Sequence, residues 1–146
     1  MDNITKEEFP MVKVIMGLKG SGKTKQLVHD INAAVKNESG SMVCIEKGTK
    51  LRYDIDMHVR LIDYQEYSMG TLAFLKGFIS GLHAGNFDIS HIFIDSFYKL
   101  VDKATLDDVE DFVLWCDRFG EANSLDFTVV VSDDPAKASD ALRAYM

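Results

Sequence analysis

A glycine-rich stretch near the amino terminus constrains this chain more than any other part of its sequence. Residues 17–24 read GLKGSGKT, with glycine, lysine and threonine at the fixed positions of the pattern G-x-x-x-x-G-K-[ST]. An apolar run of strand length, residues 11–16, precedes it, and Leu27, Ile31 and Ala34 recur after it at helical spacing. The pattern therefore predicts a buried strand, a glycine-rich turn and an amphipathic helix, in that order.

Each fixed residue of this P-loop pattern has a physical role in holding a nucleotide phosphate. Glycines let the backbone curl so that successive N–H groups face the phosphate oxygens, and the following helix directs its positive end at the same anion. The Lys23 ammonium adds a charge for the β and γ phosphates, and the Thr24 hydroxyl can coordinate Mg²⁺. The predicted nucleotide-binding residues are Leu18, Lys19, Gly20, Ser21, Gly22, Lys23, Thr24 and Lys25.

A second motif ends a later apolar strand. Residues 92–95 read IFID, the form of a Walker B segment, in which apolar residues bury the strand and the terminal carboxylate emerges beside the P-loop to hold the metal. Thr24 and Asp95 are therefore the predicted Mg²⁺ ligands. Aspartate also commonly begins turns, so this segment alone would be weak evidence for a metal site. The P-loop motif earlier in the chain is what favours the Walker B interpretation.

The residue that activates water for hydrolysis is less clearly marked. Ser96 occupies the position after Asp95 where many P-loop ATPases carry glutamate, and serine is not a strong base. Glu46, at the end of the second predicted strand, is the candidate base, with a solvated loop glutamate as the alternative interpretation. Ser132, at the end of the last strand, either senses the γ-phosphate or begins the following helix. The predicted catalytic residues are therefore Lys23, Glu46 and Ser132.

Composition restricts the partners. The formal net charge of the 146 residues is -7, which argues against a broad nucleic-acid surface but not against a local basic patch. No apolar run is long enough to span a membrane, and the polar start MDNITKEE does not resemble a secretory signal. Cys44 and Cys116 fall inside predicted core elements, as in reduced cytoplasmic proteins. We expect a cytoplasmic protein.

Other residue types give weaker indications. The Asn-Lys-x-Asp segment that selects guanine is missing, which favours ATP over GTP. Arg118 and Arg143 could act across an interface in a homo-oligomer or with a protein partner, or they are solvated helix residues. The four histidines show no metal-ligand spacing, so surface or packing roles are expected for them.

Strands alternate with helices along the chain, which predicts a single α/β domain with a mainly parallel sheet of about five strands between two helical layers. The predicted strands cover residues 11–16, 42–45, 58–63, 91–95 and 126–132, and the predicted helices cover residues 22–37, 68–85, 105–121 and 135–145. Residues 1–9 are interpreted as a short lead-in. The third strand follows the second too closely for a helical crossover, so it is either an antiparallel edge or a strand that joins after a longer excursion.

These motifs resemble those of P-loop NTPases over most of the chain, and the extra strands between the two motifs resemble the RecA-like division. That resemblance implies a three-layer α/β/α fold, a glutamate near the end of a neighbouring strand as base, and a polar sensor at Ser132. The chain also resembles thymidine kinases in residues 21–24, in Lys50 with Arg52 and Tyr53, and in Asp95. It departs from them at Ser96, where they carry the catalytic glutamate, and it lacks their zinc-binding cysteines and their tyrosine-containing lasso.

The sequence thus predicts an ATP-binding protein that hydrolyses ATP slowly with Mg²⁺. One alternative is a phosphotransferase acting on a nucleoside or another small molecule, with residues 47–57 as its lid. The other is a nucleotide-controlled binding module without turnover.

Overall fold

Strands and helices alternate in the computed structural model, which describes residues 11–146, so that the predicted lead-in at residues 1–9 lies outside the described residues. The strands are β1 (Val12–Gly17), β2 (Ser41–Glu46), β3 (Val59–Asp63), β4 (Ile89–Ile94) and β5 (Asp126–Ser132). The helices are α1 (Lys23–Asn37), α2 (Leu72–Gly85), α3 (Phe97–Leu100), α4 (Leu106–Asn123) and α5 (Asp140–Arg143), with short 3₁₀ helices at Tyr64–Glu66 and Pro135–Lys137.

All five strands are parallel and form one sheet in the order β1-β5-β4-β2-β3. The alternative that the third strand is an antiparallel edge is wrong, because β3 pairs in parallel with β2 from Met42 opposite Val59 to Glu46 opposite Asp63. Its short connection, residues 47–58, consists of turns and contains no helix. Leu51 in this connection is buried against the sheet, so the segment covers part of the face that a crossover helix would cover.

Alternating side chains give the sheet two apolar faces. Val43 and Ile45 of β2 belong to the larger core cluster, together with residues of α2 and α4. Met42 and Cys44 belong to a second cluster that includes the buried side of α1. Helices therefore pack on both faces of the sheet, consistent with a three-layer α/β/α arrangement.

Capping residues set most of the helix limits. Thr105 begins α4, at the first residue of the helix that the sequence predicts, with a capping box shared with Asp108. The predicted helix at 68–85 begins later, because Thr71 is its N-cap and accepts a hydrogen bond from Phe74 N. The continuous last helix predicted at 135–145 is wrong. It divides into a 3₁₀ turn and α5, since Ser139 starts a new cap after extended Ala138.

Candidate functional site

The glycine-rich loop joins β1 to α1 in the order that the sequence predicts. Gly20 and Gly22 have φ angles of 84° and 89°, in the left-handed region that favours glycine. Ser21 N donates a hydrogen bond of 3.1 Å to Leu18 O, which closes the turn. A Cβ at Gly17 would collide with Ser21 Oγ, so a side chain there would force the Ser21 hydroxyl to move. The glycines of the motif are thus explained by the loop's own geometry.

The amino-terminal end of α1 faces the loop without a side-chain cap. Its N-cap is Gly22, which has no side chain, and the first helical hydrogen bond runs from Gln26 N to Gly22 O at 3.1 Å. The N–H groups of Lys23, Thr24 and Lys25 therefore have no acceptor within the helix. Three aligned donors at the positive end of a 15-residue helix are a strong attraction for an anion.

The Lys23 side chain folds back over the loop. Its Nζ donates to Leu18 O at 2.9 Å and lies 3.5 Å from Ser21 Oγ. Both acceptors are neutral, and a charged oxygen would be a stronger partner for an ammonium. The geometry therefore places a positive charge at the mouth of the loop.

A cleft of about 730 Å³ opens beside the loop and the end of α1. Its walls are formed by Lys19, Gly20, Gly22, Lys23, Thr24, Lys25, Ser96, Tyr98, Lys99, Val130 and Ser132. Four of these residues are lysines and none is an aspartate or glutamate, within the described part of the chain. A cationic cleft in a chain of net charge -7 is a local feature that selects anionic ligands.

The sheet order brings two serines to this cleft. Because β5 pairs with β1, Ser132 lies opposite Gly17, the first residue of the loop motif. Ser96, directly after β4, also lines the cleft and adopts φ 56° and ψ 72°. The structure thus places Ser132 beside the start of the glycine-rich loop, on the wall of the cleft.

Asp95 is buried beside the cleft and is not one of the residues that line it. Its N–H donates to Ile45 O at 3.0 Å, and its Oδ1 lies 3.4 Å from Ser96 Oγ. Burial raises the pKa of Asp95, and the charges of Lys99, Lys50 and Lys23 only partly oppose that rise. A buried carboxylate without a strong compensating partner is electrostatically suited to a cation.

Glu46 is also buried, with 3% of its surface exposed, so the interpretation as a solvated loop glutamate is wrong. Its Oε1 accepts from Lys50 N at 3.1 Å and its Oε2 accepts from Leu51 N at 3.2 Å. Burial raises the pKa of Glu46, the backbone N–H of Leu51 lowers it, and the charge of Asp95 raises it again. Glu46 thus fixes the turn after β2, and its role as base stays a prediction.

Some cleft residues escaped the sequence prediction, namely Tyr98, Lys99 and Val130. Tyr98 and Lys99 belong to α3, a one-turn helix that leaves no periodic signal in the sequence. The sequence signal that could have found Lys99 is its position, four residues after Asp95. Tyr98 OH donates to Asp133 Oδ2 at 2.6 Å, which anchors this wall to the loop after β5.

The remaining predicted features are placed as follows. Cys44 and Cys116 are free and buried, which confirms the prediction of packing roles. Arg143 donates to Ala136 O of its own chain at 2.9 Å, and Arg118 is exposed. None of the helices in the described part of the chain combines the length and apolar character needed to cross a bilayer.

Comparisons with known proteins do not identify a family. No protein-family model matches the chain, and no curated protein matches its sequence. A function for this chain therefore rests on the residues and geometry of the cleft itself.

The first prediction concerns the buried charge at Asp95. Asp95→Asn is expected to raise the free energy of unfolding at pH 7, without metal or nucleotide, by on the order of 1 kcal/mol, because it removes a buried charge. A raised folded-state pKa means that the native aspartate stabilises the fold most below its ordinary pKa of 3.8 and loses that contribution as pH rises through the raised value. Urea unfolding as a function of pH measures this difference, which should vanish at acid pH.

The matched control is Asp133→Asn. Asp133 lies in the loop after β5 and accepts a hydrogen bond from Tyr98 of α3. Hydrogen bonds from Tyr98 and Asp134 lower the pKa of Asp133, so its neutralisation should reduce stability at pH 7. If Asp95→Asn is as destabilising as Asp133→Asn at pH 7, the Asp95 carboxylate is well compensated and the inference of an available charge is wrong.

Proposed function

We propose that this chain binds ATP with Mg²⁺ at the P-loop and hydrolyses it slowly. The observation that carries the proposal is the uncapped start of α1 beside a cleft lined by four lysines. Backbone N–H donors, a helix dipole and an ammonium converge on one place there. Polyphosphate is the ligand chemistry that uses all three.

Binding requires little rearrangement. The phosphates would accept hydrogen bonds from the N–H groups at the start of α1, and Lys23 Nζ would exchange the carbonyl of Leu18 for a charged oxygen. Lys19, Lys25 and Lys99 add positive charge around the cleft. These lysines would attract the phosphates of any nucleotide. The preference for ATP over GTP rests instead on the missing guanine-selective segment in the sequence.

Thr24 and Asp95 fit the requirements of Mg²⁺, which prefers oxygen ligands and usually keeps several waters. Thr24 contributes a hydroxyl on the cleft wall, and Asp95 contributes a buried carboxylate whose charge is only partly balanced. Bound Mg²⁺ would offset the negative charge of the phosphates and would also compensate the buried negative charge of Asp95. A carboxylate that does not line the cleft suits contact through an intervening water.

Slow hydrolysis follows from the weakness of the available base. Ser96 is not basic enough to activate water, and both Glu46 oxygens already accept backbone hydrogen bonds. Glu46 could orient a water only through the remaining lone pairs of these oxygens. In this proposal Ser132, which lies opposite Gly17, would donate its hydroxyl hydrogen to the terminal phosphate.

The phosphotransferase alternative has less support because its only lid candidate is tied to the fold. Residues 47–57 are held by Glu46 at one end, and Asp63 Oδ1 accepts from Gly48 N at 2.8 Å. Asn32 of α1 bonds to Asp54 O and Asp56 N at 3.1 and 2.9 Å. A segment fastened at these points and covering a core is poorly suited to opening and closing over an acceptor. A binding module without turnover differs from the proposal only in hydrolysis.

Lys23→Ala tests the binding proposal. The variant is expected to lose ATP binding, because the loop loses its charge while its backbone keeps the same path. ATP affinity is measured by calorimetry with Mg²⁺ present. Lys36→Ala, at the other end of α1, removes the same charge from the same helix and should bind ATP as the wild type does. Equal ATP affinity of Lys23→Ala and the wild type would contradict the proposal.

Glu46→Gln tests the assignment of the base. Its amide nitrogen would face a backbone N–H, so the free energy of unfolding should fall by about 1–3 kcal/mol. Phosphate release should fall by at least about tenfold if Glu46 orients water, with ATP affinity unchanged. The control Glu66→Gln, on an exposed glutamate, should leave both properties unchanged. Unaltered phosphate release from folded Glu46→Gln would leave Glu46 only its structural role.

A further inference from the structure

Three potential metal ligands meet at the end of the sheet where the strands begin, opposite the end that carries the P-loop. Glu38 is the C-cap of α1, His91 lies near the start of β4, and Asp126 is the first residue of β5. Each offers one ligand atom, and these atoms all lie within 4.8 Å of one another. This Glu38–His91–Asp126 cluster is separated from the phosphate loop by the length of β5, about 20 Å at roughly 3.3 Å per residue.

The backbone holds the cluster in place. His91 and Asp126 are register partners in the pairing of β4 with β5. The imidazole of His91 stacks on Phe93, with ring centroids 3.9 Å apart and an interplanar angle of 10°. Glu38 N donates to Ala34 O at 2.8 Å, which fixes the end of α1 beside the strands. Three ligands on rigid elements form a preorganised arrangement.

The hydrogen bonds of His91 direct one of its nitrogens at the carboxylates. His91 Nε2 lies 2.9 Å from Thr128 Oγ1, and Nδ1 lies 3.3 Å from Glu38 Oε2. When Nε2–H donates to the Thr128 hydroxyl, the Nδ1 lone pair points towards Glu38. Metal-binding histidines commonly have such a second hydrogen bond, which fixes the ring and the tautomer.

The carboxyl groups of Glu38 and Asp126 are close enough to share a hydrogen bond when one of them carries a proton, and a cation between them could take the place of that proton. Burial raises the pKa of both Glu38 and Asp126. Burial also lowers the pKa of His91 to about 4. The other nearby carboxylate, Asp30, is paired with Lys13 at 2.7 Å.

A cleft of about 320 Å³ adjoins the cluster and leaves room for further ligands. Its walls include Glu38, His91, Asp126 and Thr128. Zinc sites with three protein ligands keep a fourth position for water or another molecule. The mixed set of one imidazole and two carboxylates suits Zn²⁺ and similar transition ions, whereas Mg²⁺ and Ca²⁺ favour oxygen ligands alone.

We propose that Glu38, His91 and Asp126 form a binding site for a divalent transition-metal ion, with Zn²⁺ the best-fitting ion and His91 Nδ1 as its nitrogen ligand. The site joins the end of α1 to β4 and β5, so bound metal stabilises the amino-terminal end of the sheet. It is independent of nucleotide binding and of the Mg²⁺ ligands Thr24 and Asp95.

The experiment is a calorimetric titration of the metal-free, tag-free chain with Zn²⁺ alone, without nucleotide, together with the melting temperature at each metal concentration. The wild type should bind one equivalent with a dissociation constant in the micromolar range or below, and its melting temperature should rise with Zn²⁺. Co²⁺ replaces Zn²⁺ in a parallel titration, in which visible absorption reports the coordination of the ion.

Glu38→Gln and His91→Gln should each weaken Zn²⁺ binding at least about tenfold and remove the rise in melting temperature. The matched control is His58→Gln, because His58 Nδ1 also lies near a carboxylate, at 2.7 Å from Asp56, but on an exposed loop. It should bind Zn²⁺ as the wild type does. Glu38→Gln replaces one carboxylate oxygen with an amide nitrogen on a side chain that is 31% exposed, so it keeps the test valid should His91→Gln unfold.

Three results would overturn the proposal. The first is the absence of one-to-one Zn²⁺ binding by the wild type below about millimolar concentration. The second is wild-type affinity in folded Glu38→Gln. The third is an equal loss of affinity in His58→Gln, which would show that Zn²⁺ binds to surface histidines in general.

Discussion

The parallel pairing of β1, β5 and β4 is the constraint on which the rest of the structure depends. The carboxyl ends of parallel strands all lie at the same end of the sheet. The order β1-β5-β4 therefore brings Gly17, Ser132 and the residues after Ile94 next to one another at that end. The uncapped start of α1 faces the same end. Residues that are far apart along the chain therefore meet beside a helix terminus whose N–H groups lack acceptors within the helix, and this geometry supports the proposal of phosphate binding.

The charge of the cleft beside α1 is opposite in sign to the net charge of the chain. The protein is acidic, yet the cleft beside α1 carries four lysines, while Glu46 and Asp95 are buried next to the ends of β2 and β4. Burial raises the pKa of both carboxyl groups. Both Glu46 oxygens accept backbone hydrogen bonds, whereas in the described part of the chain the Asp95 carboxylate has a long contact with Ser96 and only partial compensation from the lysine charges nearby. This difference separates a structural carboxylate from one that is available to a cation.

The sequence allowed prediction of the parts of the site that depend on local pattern. Residues 17–24 specify their turn through the glycines, and the apolar strand before Asp95 is recognisable from composition, so both were found. Glu46 was misjudged as possibly solvated because its partners, Lys50 N and Leu51 N, belong to a turn without a sequence signature. The Glu38–His91–Asp126 cluster was missed because only strand register brings these distant residues together.

Calorimetric titration of the wild-type chain with ATP, once with Mg²⁺ and once with a chelator, tests nucleotide binding most directly. Phosphate release is then followed on the same sample. Micromolar binding that strengthens with Mg²⁺ and is followed by slow turnover is the predicted result. Binding without turnover would instead indicate a nucleotide-controlled binding module or a phosphotransferase that lacks its acceptor. The absence of ATP binding under both conditions would contradict the proposed role of the P-loop.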